Sequence, residues 1–199
     1  MTTANQKFDP RSGEAYYHNR GYLPHLEKVG AQQFITFRLA GSLPSCKLLE
    51  WDEELRTLTF TEQEVAKQRR IEEYLDQGIG PVWLSDPDIA SIVENAILYF
   101  DRKRYNLHAW VVMPNHVHVL LTAKDYTVSQ IVQSWKSFTA KKANAILGKT
   151  GAFWQEEYFD RSIRRERHFE FTVDYIEYNP VKAGLCKEPK DWLWSSASR

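Results

Sequence analysis

Cysteine is nearly absent. Only Cys46 and Cys186 occur in 199 residues, and neither lies in a Cys-x-x-Cys spacing. A disulfide framework is therefore not expected, and a reducing cytoplasm is the expected compartment. Long apolar runs are also missing. None approaches the roughly 20 residues of a membrane span, and Met1 to Arg11 is polar, without the apolar centre of a secretory signal. Net charge is absent, since 26 Lys and Arg balance 26 Asp and Glu. Overall charge thus does not announce nucleic acid. There is no internal repeat and no low-complexity tract. What remains is a chain with 43% hydrophobic residues, enough to bury a sizeable core as one domain or a domain with an insertion.

The zero net charge conceals an asymmetry. Residues 47–100 are rich in carboxylates, among them Glu50, Asp52, Glu53, Glu54, Glu72, Glu73 and Asp76. Residues 136–167 lean the other way, through Lys136, Lys141, Lys142, Lys149, Arg161, Arg164, Arg165 and Arg167. These are either solvated helix faces or a local attraction for phosphate.

Hydrophobic periodicity gives an α+β order. Gln33 to Leu39 alternates and predicts a first strand. Thr61-x-x-Glu64 has the form of a capping box, opening a helix that Gly78 stops. Asp86-Pro87 predicts an N-cap followed by Pro at the first helical position, with Ile89, Ile92, Val93, Ala96, Ile97 and Phe100 on one face. Tyr105–Met113 and His116–Thr122 read as a hairpin turning at Pro114-Asn115. Thr127-x-x-Gln130 opens another helix, ending near Gly148. Tyr158–Arg164 reads as a last strand, and Arg167–Asn179 as a last helix stopped by Pro180. The order strand, helix, strand, strand, helix, strand predicts a ferredoxin-like split βαβ fold with an antiparallel sheet and helices on one face. The expected organisation is one domain over residues 1–199: an arm over 1–30, a core over 30–185 and an acidic insertion over 45–80.

Two places carry chemistry. His116 and His118 flank one apolar residue in a β-branched run, so both imidazoles point to one face of a strand, about 7 Å apart along it. Val117 and Val119 face the other way, into a core. The pair is half a metal site on a rigid strand, or two unrelated histidines on a half-exposed one. In the last helix Phe169, Val173 and Ile176 form the core stripe, and Tyr175 and Asn179 are neighbours one turn apart on its flank. A phenol and an amide could reach one site from there. Equally, Tyr175 could be a ring at a core edge, and Asn179 before Pro180 an N-cap.

Four separated motifs carry a resemblance: Met113-Pro-Asn-His-Val-His118, Phe153-Trp-Gln155, Phe159-Asp-Arg-Ser-Ile-Arg164, and Asp174-Tyr-Ile-x-x-Asn-Pro-Val-Lys-Ala-Gly184. In this order and spacing the chain resembles the single-tyrosine transposases with a His-hydrophobe-His site, most of all the REP-associated tyrosine transposase branch, over roughly residues 30–185. The resemblance implies a ferredoxin-like core whose C-terminal helix carries the nucleophile, Tyr175. It implies a divalent cation, Mg²⁺ or Mn²⁺, held by His116, His118 and Asn179. Insertion-sequence relatives usually have Gln where this chain has Asn179, one methylene shorter. Residues 45–80 have no clear counterpart in the short relatives.

The implied activity is cleavage and joining of single-stranded or hairpin DNA through a 5′-phosphotyrosine, by a monomer or homodimer associated with the nucleoid and not with a membrane. Imidazole suits Mn²⁺ better than Mg²⁺. Lys136, Lys141, Lys142, Arg161, Arg164 and Arg165 are the candidates for backbone phosphates, and Trp154 or Trp135 for stacking an unpaired base. Two other readings compete. A catalytically idle hairpin-DNA-binding relative would be expected to lack a His or the Tyr, whereas all are present. A phosphodiesterase using water would turn over without a protein–DNA adduct.

Overall fold

Along residues 32–38 the side chains alternate between two faces of one strand, and residues 33–37 are all buried. A strand with both faces covered belongs in the middle of a sheet with a layer on each side. The computed structural model describes the backbone of residues 16–19 and 24–27 and the whole of residues 30–199. Its elements are β1 (Tyr16–Asn19), β2 (Pro24–Glu27), β3 (Gln32–Arg38), α1 (Ser45–Leu55), α2 (Phe60–Asp76), α3 (Pro87–Leu98), β4 (Tyr105–Val112), β5 (His116–Ala123), α4 (Val128–Ile146), β6 (Phe159–Ile163) and α5 (Glu166–Lys182). The first two strands pair with each other. They fall within the expected 1–30 arm, the rest of which lies outside the described residues.

The other four strands form one antiparallel sheet in the order β4-β5-β3-β6. With α3 and α4 as its crossovers, this is the expected ferredoxin-like arrangement. Those two helices cover one face, where Ile89, Val93, Ile97, Ile131 and Trp135 meet Ile35, Phe37, Val117, Val119 and Leu121. α5 covers the opposite face, setting Ile176 against Phe34, Val111 and Leu120. The expected caps hold for α3 and α4. The Asp86 side chain accepts from the Asp88 N–H at 2.9 Å, and Thr127 and Gln130 form the reciprocal box.

Two local expectations, the start of α2 and the end of α5, are corrected. α2 starts earlier than Thr61, because Thr59 is the N-cap and its N–H donates to the Glu62 side chain at 3.0 Å. Within the 45–80 segment α1 and α2 form a helical hairpin, tied by Lys67 to Asp52 at 2.6 Å and by Arg70 to Glu54. Pro180 does not stop α5. It removes one backbone donor near the end of the helix, which runs on to Lys182. The stop is Gly184, at φ +72°, where Leu185 N–H bonds Pro180 O at 2.9 Å and Gly184 N–H bonds Val181 O at 3.0 Å. That pair is a Schellman closure. The continuation keeps Asn179 in helical register with Tyr175.

Candidate active site

His116 and His118 leave β5 on the face covered by α5, and both are fully buried. Register brings the supporting groups. Thr36 lies opposite His118, and Arg38 opposite His116. Thr36 Oγ1 meets His118 Nδ1 at 2.8 Å. Asn115 Nδ2 donates to Leu75 O at 3.0 Å, which turns its Oδ1 toward His116 Nδ1 at 2.7 Å. A neutral His116 donating from Nδ1 presents a lone pair at Nε2. The two Nε2 atoms are 3.1 Å apart, so both rings aim their free nitrogens at one point, oriented by partners on the other nitrogen. Burial pushes the His116 imidazole down to about 3. It also holds His118 well below its usual range, where a second charge beside His116 and the Lys182 ammonium would be repelled. The neutral form is the one that ligates a metal.

α5 lays Tyr175 against this pair. Its ring centroid is 5.4 Å from that of His118 and 6.0 Å from that of Phe34. The Tyr175 hydroxyl is buried and makes no hydrogen bond of ordinary geometry. Burial raises its pKa above the ordinary phenol value, and the Glu72 and Asp76 carboxylates raise it further. One turn on, Asn179 is 1% exposed; its amide approaches the Tyr175 hydroxyl, and neither its Oδ1 nor its Nδ2 makes a hydrogen bond of ordinary geometry. A buried amide with both atoms unsatisfied costs stability and calls for an explanation.

Sequence reasoning missed the contribution of α2. Its last turn brings Asp76 beside the histidines, with Oδ1 4.0 Å from His116 Nε2 and Oδ2 accepting from Lys182 Nζ at 2.7 Å. Oδ1 is buried without a hydrogen-bond partner. Glu72, one turn earlier, approaches Tyr175, and desolvation raises its carboxyl above the usual range. The only signal in the chain was the i, i+4 spacing of Glu72 and Asp76, which looks like any solvated acidic face. Arg38 was also missed. It shares the histidines' face by register and is partly buried, which lowers its guanidinium to about 10.

The donors suit a divalent cation. Among the described residues no three His, Cys, Asp or Glu side chains are gathered as a ready cage. Here two neutral imidazoles converge, and the buried Asn179 amide, one turn beyond Tyr175, could supply an oxygen. Such a set leaves positions open for a substrate.

The basic candidates separate into two groups. Arg161 lies opposite Phe34 in register and so shares the histidines' face. Arg161, Arg164 and Arg165 are exposed. Lys141 and Lys142 are exposed as well, but they ride on α4, across the sheet from the site. Lys136 Nζ on the same helix donates to Glu156 O at 2.7 Å, and burial lowers its ammonium to about 8. Trp154 is corrected. It is 6% exposed, its Nε1 donates to Thr139 Oγ1 at 2.8 Å, and Phe37 and Phe153 abut its ring, so a base has no face to stack on. Trp135 is likewise core, 2% exposed and bonded to the Tyr105 hydroxyl at 3.1 Å.

The chain is similar to several known proteins. Residues 85–179 match the family model described as "Transposase IS200 like". The REP-associated tyrosine transposase of Escherichia coli (strain K12) is 30% identical over 109 residues, covering 54% of this chain and 64% of that protein. The chain thus spans just under two thirds of the length of that relative. A solved REP-associated tyrosine transposase bound to a REP hairpin shares the fold, with a TM-score of 0.53 at 22% identity over 92% of this chain and 83% of the other. The segment 85–179, which is similar to IS200-like transposases, holds both histidines, Tyr175 and Asn179, and the chain is similar to REP-associated tyrosine transposases.

Proposed function

We propose that the protein cleaves and rejoins single-stranded or hairpin DNA, with Tyr175 as the nucleophile and His116, His118 and Asn179 as ligands of a divalent cation, Mg²⁺ or Mn²⁺. The observation that carries this reading is the packing of the Tyr175 ring on His118, beside the convergent Nε2 atoms, with the buried Asn179 amide one turn further along the same helix. The Tyr175 oxygen attacks phosphorus, the bond from phosphorus to the 3′ oxygen breaks, and that oxygen takes a proton to leave as a 3′-hydroxyl. The phosphate stays on Tyr175 as a 5′-phosphotyrosine. The reverse attack by a 3′-hydroxyl rejoins DNA without ATP, because the ester link keeps the bond energy.

The buried phenol beside two carboxylates is held protonated, and is a weak nucleophile until that field is offset. A divalent cation at the histidines would supply that offset and draw charge from the scissile phosphate. Arg38 and Arg161, on the same face of the sheet, are placed to hold phosphates on either side of the break. The relative bound to a REP hairpin supports a hairpin-bearing substrate. The test is a denaturing gel of protein incubated with Mn²⁺ and end-labelled hairpin DNA from the gene's flanks. A covalent adduct is expected from the wild type. His116→Ala and His118→Ala should lose adduct and cleavage but retain hairpin binding. Full cleavage by His116→Ala would overturn the metal assignment, and turnover without adduct would favour water as the nucleophile.

A further inference from the structure

We propose that Asp76, carried in by the α1–α2 hairpin, is the carboxylate ligand that completes the cation site. The inference rests on the reading of His116, His118 and Asn179 given above. Three observations carry it. The Asp76 side chain is 10% exposed, a burial that a carboxylate tolerates only with partners. Lys182 engages Oδ2 alone, at 2.7 Å. Oδ1 has no hydrogen bond and lies 4.0 Å from His116 Nε2. Close by, the 1% exposed Asn179 amide, with neither polar atom in a hydrogen bond of ordinary geometry, lies one turn beyond Tyr175, whose ring packs on His118.

Ligand chemistry favours the addition. Mg²⁺ and Mn²⁺ prefer hard oxygen donors, and carboxylates most of all. Two imidazoles and one amide give only neutral ligands and a single oxygen. Asp76 adds the anionic oxygen that this set lacks. It enters beside α5, since α2 and α5 meet through the Asp76–Lys182 pair. Leu75, the residue before, is 1% exposed and accepts from Asn115, the residue that orients His116. The end of α2 is thus fixed to the first histidine by two adjacent residues. On this account the 45–80 segment is a working part of the active site.

The test measures Mn²⁺ binding by calorimetry and by the loss of the free-ion EPR signal, without DNA. Asp76→Asn keeps the shape and removes the charge. It should weaken Mn²⁺ at least about tenfold, the lower end of what loss of a supporting group costs a metal site, with an unchanged circular dichroism spectrum. Affinity within twofold of the wild type would overturn the proposal. His118→Ala separates the two readings. If it abolishes Mn²⁺ binding while Asp76→Asn does not, only the role of Asp76 fails; if the wild type binds no Mn²⁺, the metal reading fails as a whole. Should Asp76→Asn not fold, pulsed EPR decides on the wild-type sequence labelled with ¹³C at its Asp carboxyl carbons. A strong ¹³C coupling to Mn²⁺ is expected, and its absence would overturn the proposal.

Discussion

Replacing the proposed nucleophile, Tyr175, should make the metal-free protein more stable. Tyr175→Phe deletes one hydroxyl and keeps the ring that contacts His118 and Phe34, with centroids at 5.4 and 6.0 Å. That hydroxyl is buried, makes no hydrogen bond of ordinary geometry, and faces Glu72, Asp76 and Asn179. An unsatisfied buried polar group costs roughly 1–3 kcal/mol. Taking the lower end, because Phe fills almost the same volume, the variant gains about 1 kcal/mol. For a chain of 199 residues that corresponds to a rise of about 2–4 °C in melting temperature. The measurement is thermal and urea unfolding in EDTA, paired with the adduct gel in Mn²⁺. Stabilisation together with complete loss of the adduct is expected, a functional site holding strain that the fold would shed. A melting temperature lowered by several degrees would show that the hydroxyl is hydrogen-bonded in the folded state. A surviving adduct would remove Tyr175 as nucleophile.

Other outcomes follow from the same geometry. Trp154→Ala should destabilise the protein by about 3–5 kcal/mol, as a core aromatic does; an equally stable variant with weaker binding to single-stranded DNA would return Trp154 to the substrate. Hairpin affinity should fall as salt rises, and Arg161→Ala should reduce the slope by about one phosphate contact, whereas Lys141→Ala, across the sheet, should leave it unchanged. The opposite result in a salt titration would place the DNA on α4. The metal-free protein should lose stability in mild acid. His116 titrates near 3 when folded and near 6.5 when unfolded, so between those values the unfolded chain binds the extra proton. Stability is then complete above pH 6.5 and falls below it, by up to about 1.4 kcal/mol per pH unit for this group. Urea midpoints at pH 7 and pH 5 measure the loss, and equal midpoints would refute it.

How much of the site was legible depended on whether a side chain's surroundings lie on its own element. Alternation along β5 placed both histidines on one face and Val117 and Val119 on the other, as found. The sheet order followed from element order, and α5's stripe of Phe169, Val173 and Ile176 does face the sheet. By contrast, Trp154 lies in an irregular segment, where no period tells core from surface. Asp76 and Glu72 sit in a helix whose acidic surface resembles a solvated one, because periodicity reports a helix's own faces and not what tertiary packing sets against them. The two tyrosines of α5 show where the method is strong. Tyr178 lies about 180° from the Ile176 stripe at 100° per residue, and it is 59% exposed. Tyr175, on the flank, touches His118. A hydroxyl pointing into solvent cannot reach a phosphate held at buried histidines without unwinding the helix. Tyr178→Phe should therefore cleave at nearly the wild-type rate, and peptide mapping of the adduct should find the nucleotide on Tyr175. A nucleotide on Tyr178 would mean that α5 rotates by half a turn when DNA binds, which the Tyr175 and Ile176 contacts with the sheet oppose.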